Sequence, residues 1–220
     1  MSHQQAVFED GEADQWFRRN KDSQEILQWD EDPVCQALAA CELRPGRIID
    51  WGCSAGIRLA TCCRHYQADG VGIDPSGEAI AMARERYPQL DWRQHCIDVT
   101  PALAAADLAI CSFVLHWVDR ARLLSSLARI DSSIVVGGHL LIYDFDPPYS
   151  QRRHYHHLPD AGLSTWKHDY AATFQATGLY RCVYRRSLAY KEGRAARPDD
   201  RERSVISILE RIDPGTIPEA

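Results

Sequence analysis

The sequence predicts a doubly wound α/β domain, a mostly parallel sheet of seven strands with helices on both faces. Three observations carry that expectation. Short apolar, β-branched runs alternate with helix-period segments along most of the chain, as in successive βαβ units. One unit, Ile48-Ile49-Asp50-Trp51-Gly52-Cys53-Ser54-Ala55-Gly56, passes from strand to helix through a turn with two glycines. Three of the runs are closed by aspartates, Asp50, Asp74 and Asp98, at the carboxyl edge where open α/β sheets bind ligands.

The opening stretch, 1–30, is polar with aromatic anchors at Phe8, Trp16, Phe17 and Trp29, and Trp16-Phe17-Arg18-Arg19-Asn20 reads as part of a short helix. Asp32-Pro33 is an N-cap followed by a first-turn proline, and Val34, Leu38 and Cys41 mark one helix face. Arg44-Pro45-Gly46 turns the chain into the first strand. Gly52 and Gly56 have no Cβ, so the chain can turn sharply there and bare backbone can approach a ligand. The helix that follows runs through Ile57, Leu59, Ala60 and Cys63.

Val71-Gly72-Ile73-Asp74 is the second strand, and Pro75 and Ser76 open a helix with Ala79, Ala83 and Tyr87 on one face, closed by Pro88. Residues 90–95 and 106–112 read as the third and fourth strands, with a helix over 119–132 marked by Leu123, Leu127 and Ile130. Gly137-Gly138 reads as the turn before a fifth strand, His139-Leu140-Leu141-Ile142-Tyr143.

Residues 144–170 then break the rhythm. They show no periodicity, and a connection this long inside a compact domain is usually functional. It carries Arg152, Arg153, His154, Tyr155, His156, His157, Trp166, Lys167, His168, Asp169 and Tyr170. A helix over 171–176 follows, capped by Gly178, and 179–187 and 204–209 read as two further strands. The polar link 191–203 between them is expected to be an exposed loop.

A net charge of −6 argues against a broad nucleic-acid surface, which needs a basic balance. No apolar run approaches the ~20 residues of a membrane span, and the first residues lack the basic and apolar parts of a signal peptide. The eight cysteines fall largely within predicted strands and helices with no Cys-x-x-Cys pair. They read as buried, reduced thiols in a cytoplasmic protein.

The stretch 48–56 resembles the first motif of class I S-adenosylmethionine-dependent methyltransferases, Asp/Glu-x-Gly-x-Gly-x-Gly, with Ser54 at the middle glycine. A dinucleotide-binding Gly-x-Gly-x-x-Gly fails at Ser54 and Ile57. Asp74, Asp98 and the fourth strand follow in the order of that superfamily. Val114-Leu115-His116-Trp117-Val118 is similar to the segment that passes under the methionine part of the cofactor. The resemblance covers about 45–145 by motif and the rest by topology.

It implies a Rossmann-like methyltransferase fold whose seven-stranded sheet ends in an antiparallel C-terminal hairpin. The whole chain, 1–220, becomes one domain: an N-terminal arm and helix (1–44), a cofactor-binding core (45–145), an acceptor-site loop and helix (146–176) and the hairpin (177–220). The implied cofactor is S-adenosyl-L-methionine, leaving as S-adenosyl-L-homocysteine. Asp50, Gly52, Cys53, Ser54, Gly56, Asp74, Pro75, Asp98, Val99, Ser112 and Phe113 are its expected contacts, with Asp74 on the ribose hydroxyls. The Ser54 side chain either turns away from the ligand or offers it a hydroxyl.

Methyl transfer needs an acceptor held in line and, for a hydroxyl or ammonium, a base. His116, His154 and Asp144 are the candidates. His116 reads equally as a structural imidazole, and Asp144 as a turn residue. Arg18, Asn20, Arg152, Tyr155 and His157 are the candidate acceptor contacts; the arm reads either as a lid carrying Arg18, Arg19 or Asn20 towards an anion, or as a surface strap. The His154-x-His156-His157 cluster has no carboxylate or cysteine at a ligand spacing, so no metal is expected. Asp146-Pro147-Pro148-Tyr149 has the letters of a base- or amide-methylation motif but follows the fifth strand rather than the fourth.

The expected activity is methylation of an oxygen, with nitrogen second, on a small polar or anionic molecule such as a sugar or secondary metabolite. The expected protein is a monomer or homodimer that binds neither nucleic acid nor membrane. The alternative is a cofactor-binding module without activity.

Overall fold

The structure, a computed structural model, describes residues 3–21, 27–190, 192, 194–197, 200, 202–213 and 215. Strand β1 (Arg47–Trp51) pairs in parallel with β2 (Asp69–Asp74) on one side and β4 (Ala106–Ser112) on the other. Beyond them lie β3 (Asp91–Gln94) and β5 (Ile134–Phe145), also parallel. β9 (Arg203–Arg211) then runs antiparallel to β5, and β8 (Tyr180–Ala189) antiparallel to β9. The seven-stranded order is 3-2-1-4-5-9-8, the mostly parallel sheet with a terminal antiparallel pair that the sequence predicts.

Both faces of β1 are covered, so its residues do not alternate between apolar and polar. Ile48 packs with Val34 and Leu38 of α3 (Pro33–Ala40) and Leu59 of α4 (Ile57–Tyr66). Ile49 and Trp51 pack with Leu127 and Ile130 of α6 (Leu123–Asp131) and Phe174 of α7 (Tyr170–Gln175). Asp32 caps α3 as expected, its carboxylate accepting the Val34 and Cys35 backbone N–H groups at 3.0 Å each. Ser76 caps α5 (Gly77–Arg86) through the Ala79 N–H at 3.1 Å. Because β2 and β4 flank β1 on opposite sides, the chain leaves the sheet in diverging directions after β1 and β4, which opens a crevice at that edge.

Three expectations change. Gly137-Gly138 lies inside β5 rather than before it: Gly137 has φ +80°, and the β4–β5 register shifts between Ala106 and Leu108. The glycine pair therefore forms a bulge, whose extra residues bend a strand without ending it. The helix expected over 119–132 is shorter, Leu123–Asp131. The stretch 144–170 is not structureless. It contains a hairpin, β6 (Gln151–His154) against β7 (Ser164–Lys167), registered from Gln151↔Lys167 to His154↔Ser164. Its strands are polar, so neither period is legible in them; backbone pairing and docking hold them. The link 191–203 lies partly outside the described residues.

The arm consists of α1 (His3–Val7) and α2 (Ala13–Asn20), joined across a kink in Phe8–Glu12 where Gly11 has φ +131°. Gln4 ties it to the hairpin and to the loop after β4. The Gln4 amide donates to Trp117 O at 2.7 Å, and its carbonyl accepts the Ser164 N–H at 3.1 Å. All eight cysteines carry free thiols. Among the described residues no helix is long and apolar enough to cross a membrane.

Candidate functional site

The turn after β1 is held by the neighbouring strand. Gly52 N and Cys53 N both donate to Ile73 O, at 2.7 and 3.0 Å. Gly52 and Gly56 have φ of +75° and +76°, left-handed values that glycine adopts without cost. Their missing side chains do more than bare the backbone. A Cβ on Gly52 would lie 2.5 Å from Val114, and one on Gly56 would lie 2.1 Å from Trp92. The glycines are thus set by internal packing as well as by the turn. Ser54 also has a positive φ, +49°, and its Oγ is buried with no hydrogen-bond partner.

Asp74 closes the same turn from β2. Its two carboxylate oxygens accept the Ser54 and Ser76 backbone N–H groups at 2.9 Å each, which leaves lone pairs on both oxygens for further donors. Burial pushes its pKa up to about 6 against those two bonds, and Asp14 adds to the rise. Asp50 lies beneath the turn, 2% exposed. Burial pushes it up to about 7, with the Arg58 guanidinium pulling the other way.

Next to Asp74, Pro75, Gln94, His95, Cys96 and Val99 line a cavity of about 240 Å³, closed on the arm side by Glu9. Val99 is half-exposed there and offers an apolar wall. The Asp98 carboxylate, by contrast, is engaged by Arg122, whose Nε donates at 2.6 Å. Its backbone neighbours, rather than its side chain, face the cavity. A larger groove of about 500 Å³ between α4 and the end of α5 involves none of these residues.

Two residues singled out separately in the sequence meet at the end of β4 and β5. His116 Nδ1 lies 2.9 Å from Asp144 Oδ1. Asp144 also accepts the backbone N–H groups of His116, at 3.3 Å, and Phe145, at 2.8 Å. An ionised carboxylate can only accept, so Nδ1 carries the proton and Nε2 is the basic nitrogen. Nε2 has no partner among the described residues.

Around this pair stand aromatic rings. His116 is 4.9 Å from Phe145, and Phe113 is 4.6 Å from Tyr143 and 5.3 Å from Phe145. Tyr190 closes the group at 5.0 Å from Phe145. Phe113 itself has φ +53°, a sparsely populated conformation for an aromatic residue and one that clusters at ligand sites. Ser112 precedes it at the end of β4.

The other expected acceptor residues do not join the pair. Arg18 is on the outer face of α2, in an exposed ion pair with Glu78. Asn20 donates to Trp16 O within its own helix at 2.8 Å. His154 and His157 are exposed, and the His157 ring lies tilted against His156 at 3.9 Å. Arg152 donates to Ser164 Oγ at 2.9 Å and lies over Trp166, on the other side of β6 from Arg153, because successive side chains alternate. Tyr155 is buried, and its hydroxyl is taken by Glu12 and Arg19. It latches the arm, with the Phe8 ring tilted beside it at 6.4 Å and against Trp117 at 5.5 Å. Lys167 and Tyr190 were not expected at the site. Nothing in their spacing connects them to His116; only the hairpin and the β8–β9 pair bring them to Phe145.

A family model described as a methyltransferase domain matches residues 24–189. A trans-aconitate 2-methyltransferase of Azoarcus sp. (strain BH72) is 34% identical over 84 residues, 37% of this chain and 33% of that protein. The indolepyruvate C-methyltransferase of Streptomyces griseus is 31% identical over 115 residues, 48% of this chain and 35% of that one. The chain thus spans about a third of the length of these curated relatives. Among solved structures, the 1,6-didemethyltoxoflavin-N1-methyltransferase of Burkholderia thailandensis, with 1,6-didemethyltoxoflavin and S-adenosylhomocysteine bound, superposes with a TM-score of 0.74. It is 15% identical, over 97% of this chain and 91% of that one. The N-methyltransferase NodS of Bradyrhizobium japonicum WM9 gives 0.59 at 15% identity, over 90% and 88%. At these identities the structural likeness is one of fold.

Proposed function

The chain belongs to the methyltransferase-domain family, and from that membership we propose that it methylates a hydroxyl oxygen of a small anionic molecule, using S-adenosylmethionine. The observation that carries the reading is the His116–Asp144 pair at 2.9 Å, beside the turn of β1. An acceptor carboxylate is ionised at neutral pH and needs no base. A hydroxyl does, and so does an ammonium, which keeps nitrogen as the second choice. The names of the curated relatives point to carboxylate-bearing acceptors, trans-aconitate and indolepyruvate.

The residues fit the cofactor on two grounds of this chain's own. Asp74 has spare acceptor capacity where ribose hydroxyls would donate, and the orphaned Ser54 Oγ is a buried polar atom in want of a partner. Pro75 and Val99 would flank the adenine, and the backbone of 52–56 would carry the methionine part. When bound, the cofactor supplies an electrophilic methyl group on a sulfonium and leaves as a neutral thioether.

The protein's own tasks are positioning, proton removal and exclusion of water. Phe113, Phe145 and Tyr190 hold a flat acceptor. His116 Nε2 takes the hydroxyl proton as the oxygen closes on the methyl carbon, and Asp144 stabilises the resulting imidazolium through Nδ1. The arm, latched by Tyr155 and Gln4, keeps water out. A module that only binds the cofactor would leave the His116–Asp144 pair a structural contact alone, with Nε2 unused. The test is an acceptor screen with methyl-labelled S-adenosylmethionine on wild type and His116→Asn. Hydroxyl acceptors turned over by wild type should be lost in the variant at unchanged cofactor affinity. Tight cofactor binding with no acceptor ever turned over would support the binding module.

A further inference from the structure

We infer that Lys167 selects the acceptor, its ammonium receiving the carboxylate of a flat aromatic acid whose hydroxyl lies at His116. The inference rests on the methyl-transfer reading above and names the acceptor class for that site.

Lys167 stands on β7 with its side chain 11% exposed. Its Nζ lies 3.7 Å from the centre of the Phe145 ring. A lysine ammonium has three donors, yet among the described residues none of the three has a hydrogen-bond acceptor. Among the described residues its one ion-pair partner is Glu202, 4.0 Å away and half exposed. That carboxylate lies nearer to Arg153, at 3.6 Å. Burial first, then the Arg153 charge, pull the Lys167 pKa below its ordinary value, against the opposing pull of the Glu202 and Asp144 carboxylates. A cation so enclosed is costly unless an anion reaches it, and the cation–π contact with Phe145 supplies only part of the compensation.

Phe145 joins this cation to the base. One ring touches both Lys167 Nζ and the His116 imidazole, so a single planar acceptor lying along Phe145 can reach the two with different substituents. Phe113 and Tyr190 pack directly on Phe145, with ring centres 5.3 and 5.0 Å away, an aromatic surface of the kind that suits an aromatic acceptor. Arg152 is no competitor for the anion, being held by Ser164 and Trp166. Glu202 is the internal competitor, an exposed carboxylate that an acceptor's own would displace.

The test uses hydroxybenzoic and hydroxycinnamic acids, each paired with its carboxamide, titrated by calorimetry into the full chain saturated with S-adenosylhomocysteine. At least one acid should bind ten times more tightly than its amide or better. Lys167→Met keeps the apolar stem against Phe145 and should reduce that preference to about twofold, with S-adenosylhomocysteine affinity unchanged. Lys167→Gln serves as well if the methionine variant does not fold. Glu202→Gln should tighten the acid several-fold, which a merely structural Lys167–Glu202 contact would not do. The inference is overturned if no acid outbinds its amide, or if the preference survives loss of the ammonium. Failure of wild type to bind S-adenosylhomocysteine would instead remove the methyl-transfer reading itself, and the inference with it.

Discussion

Replacing Asp144 by Asn tests the proposed base most directly, because the change is nearly isosteric and acts through His116. Asp144 holds Nδ1 at 2.9 Å and also accepts two backbone N–H groups. A charge-assisted hydrogen bond is worth about 1.5–3 kcal/mol, so its loss alone lowers turnover by roughly 10- to 10²-fold. The amide adds a second effect. Its NH₂ can donate to Nδ1, which puts the imidazole proton on Nε2 and removes the base from the acceptor side; the combined loss should reach about 10²–10⁴-fold. Stability should fall by only ~1–2 kcal/mol, since the amide oxygen can still accept one of the two backbone N–H groups. The assay is single-turnover methylation of an acceptor found in the screen, with cofactor affinity and melting temperature measured alongside. His116→Asn and the double variant complete a cycle. If the pair acts as a unit, the double variant should be hardly worse than His116→Asn alone. Strictly additive losses, or turnover of Asp144→Asn within threefold of wild type, would falsify the assignment.

Asp74→Ala should weaken S-adenosylmethionine binding by about 2–3 kcal/mol. In wild type the affinity should fall as pH drops through about 6, where Asp74 takes up a proton and loses acceptor capacity; a flat profile from pH 8 to 5 would contradict its role. Ser54→Gly should cost about 0.5–1.5 kcal/mol of cofactor affinity if the orphaned hydroxyl is a contact, and Ser54→Leu should abolish binding, both read by calorimetry. Gly56→Ala should destabilise the fold by ~2 kcal/mol or more through its left-handed φ and the clash with Trp92, as seen in denaturant unfolding. Tyr155→Phe should loosen the arm, giving faster amide exchange over 3–21 while the sheet stays protected; unchanged exchange would mean that the Glu12–Arg19–Tyr155 contact does not hold it.

The sequence by itself determined the parallel sheet, the turn between β1 and α4 and the carboxylate at the end of β2. These rest on local relations: continuous β-branched runs, glycines where φ is positive, a cap before a helix. A strand next to its neighbour needs only its own residues and a short connection to be recognised. His116 and Asp144 were each legible as candidates for a related reason, since each ends or follows a strand at the ligand edge. Their pairing was not, because it depends on β4 and β5 lying side by side in a given register.

Tertiary structure decided the rest. The polar hairpin β6–β7 has no period to read, and which of Arg152 and Arg153 lies over Trp166 turns on a one-residue register. Docking of that hairpin made Tyr155 a latch for the arm and left His154 and His157 in solvent. The same docking, with the β8–β9 pair, set Lys167 and Tyr190 around Phe145. Glycines 52 and 56 show the division within single residues. Their left-handed turn is a local property, while the need for no Cβ against Val114 and Trp92 arises only when distant segments pack.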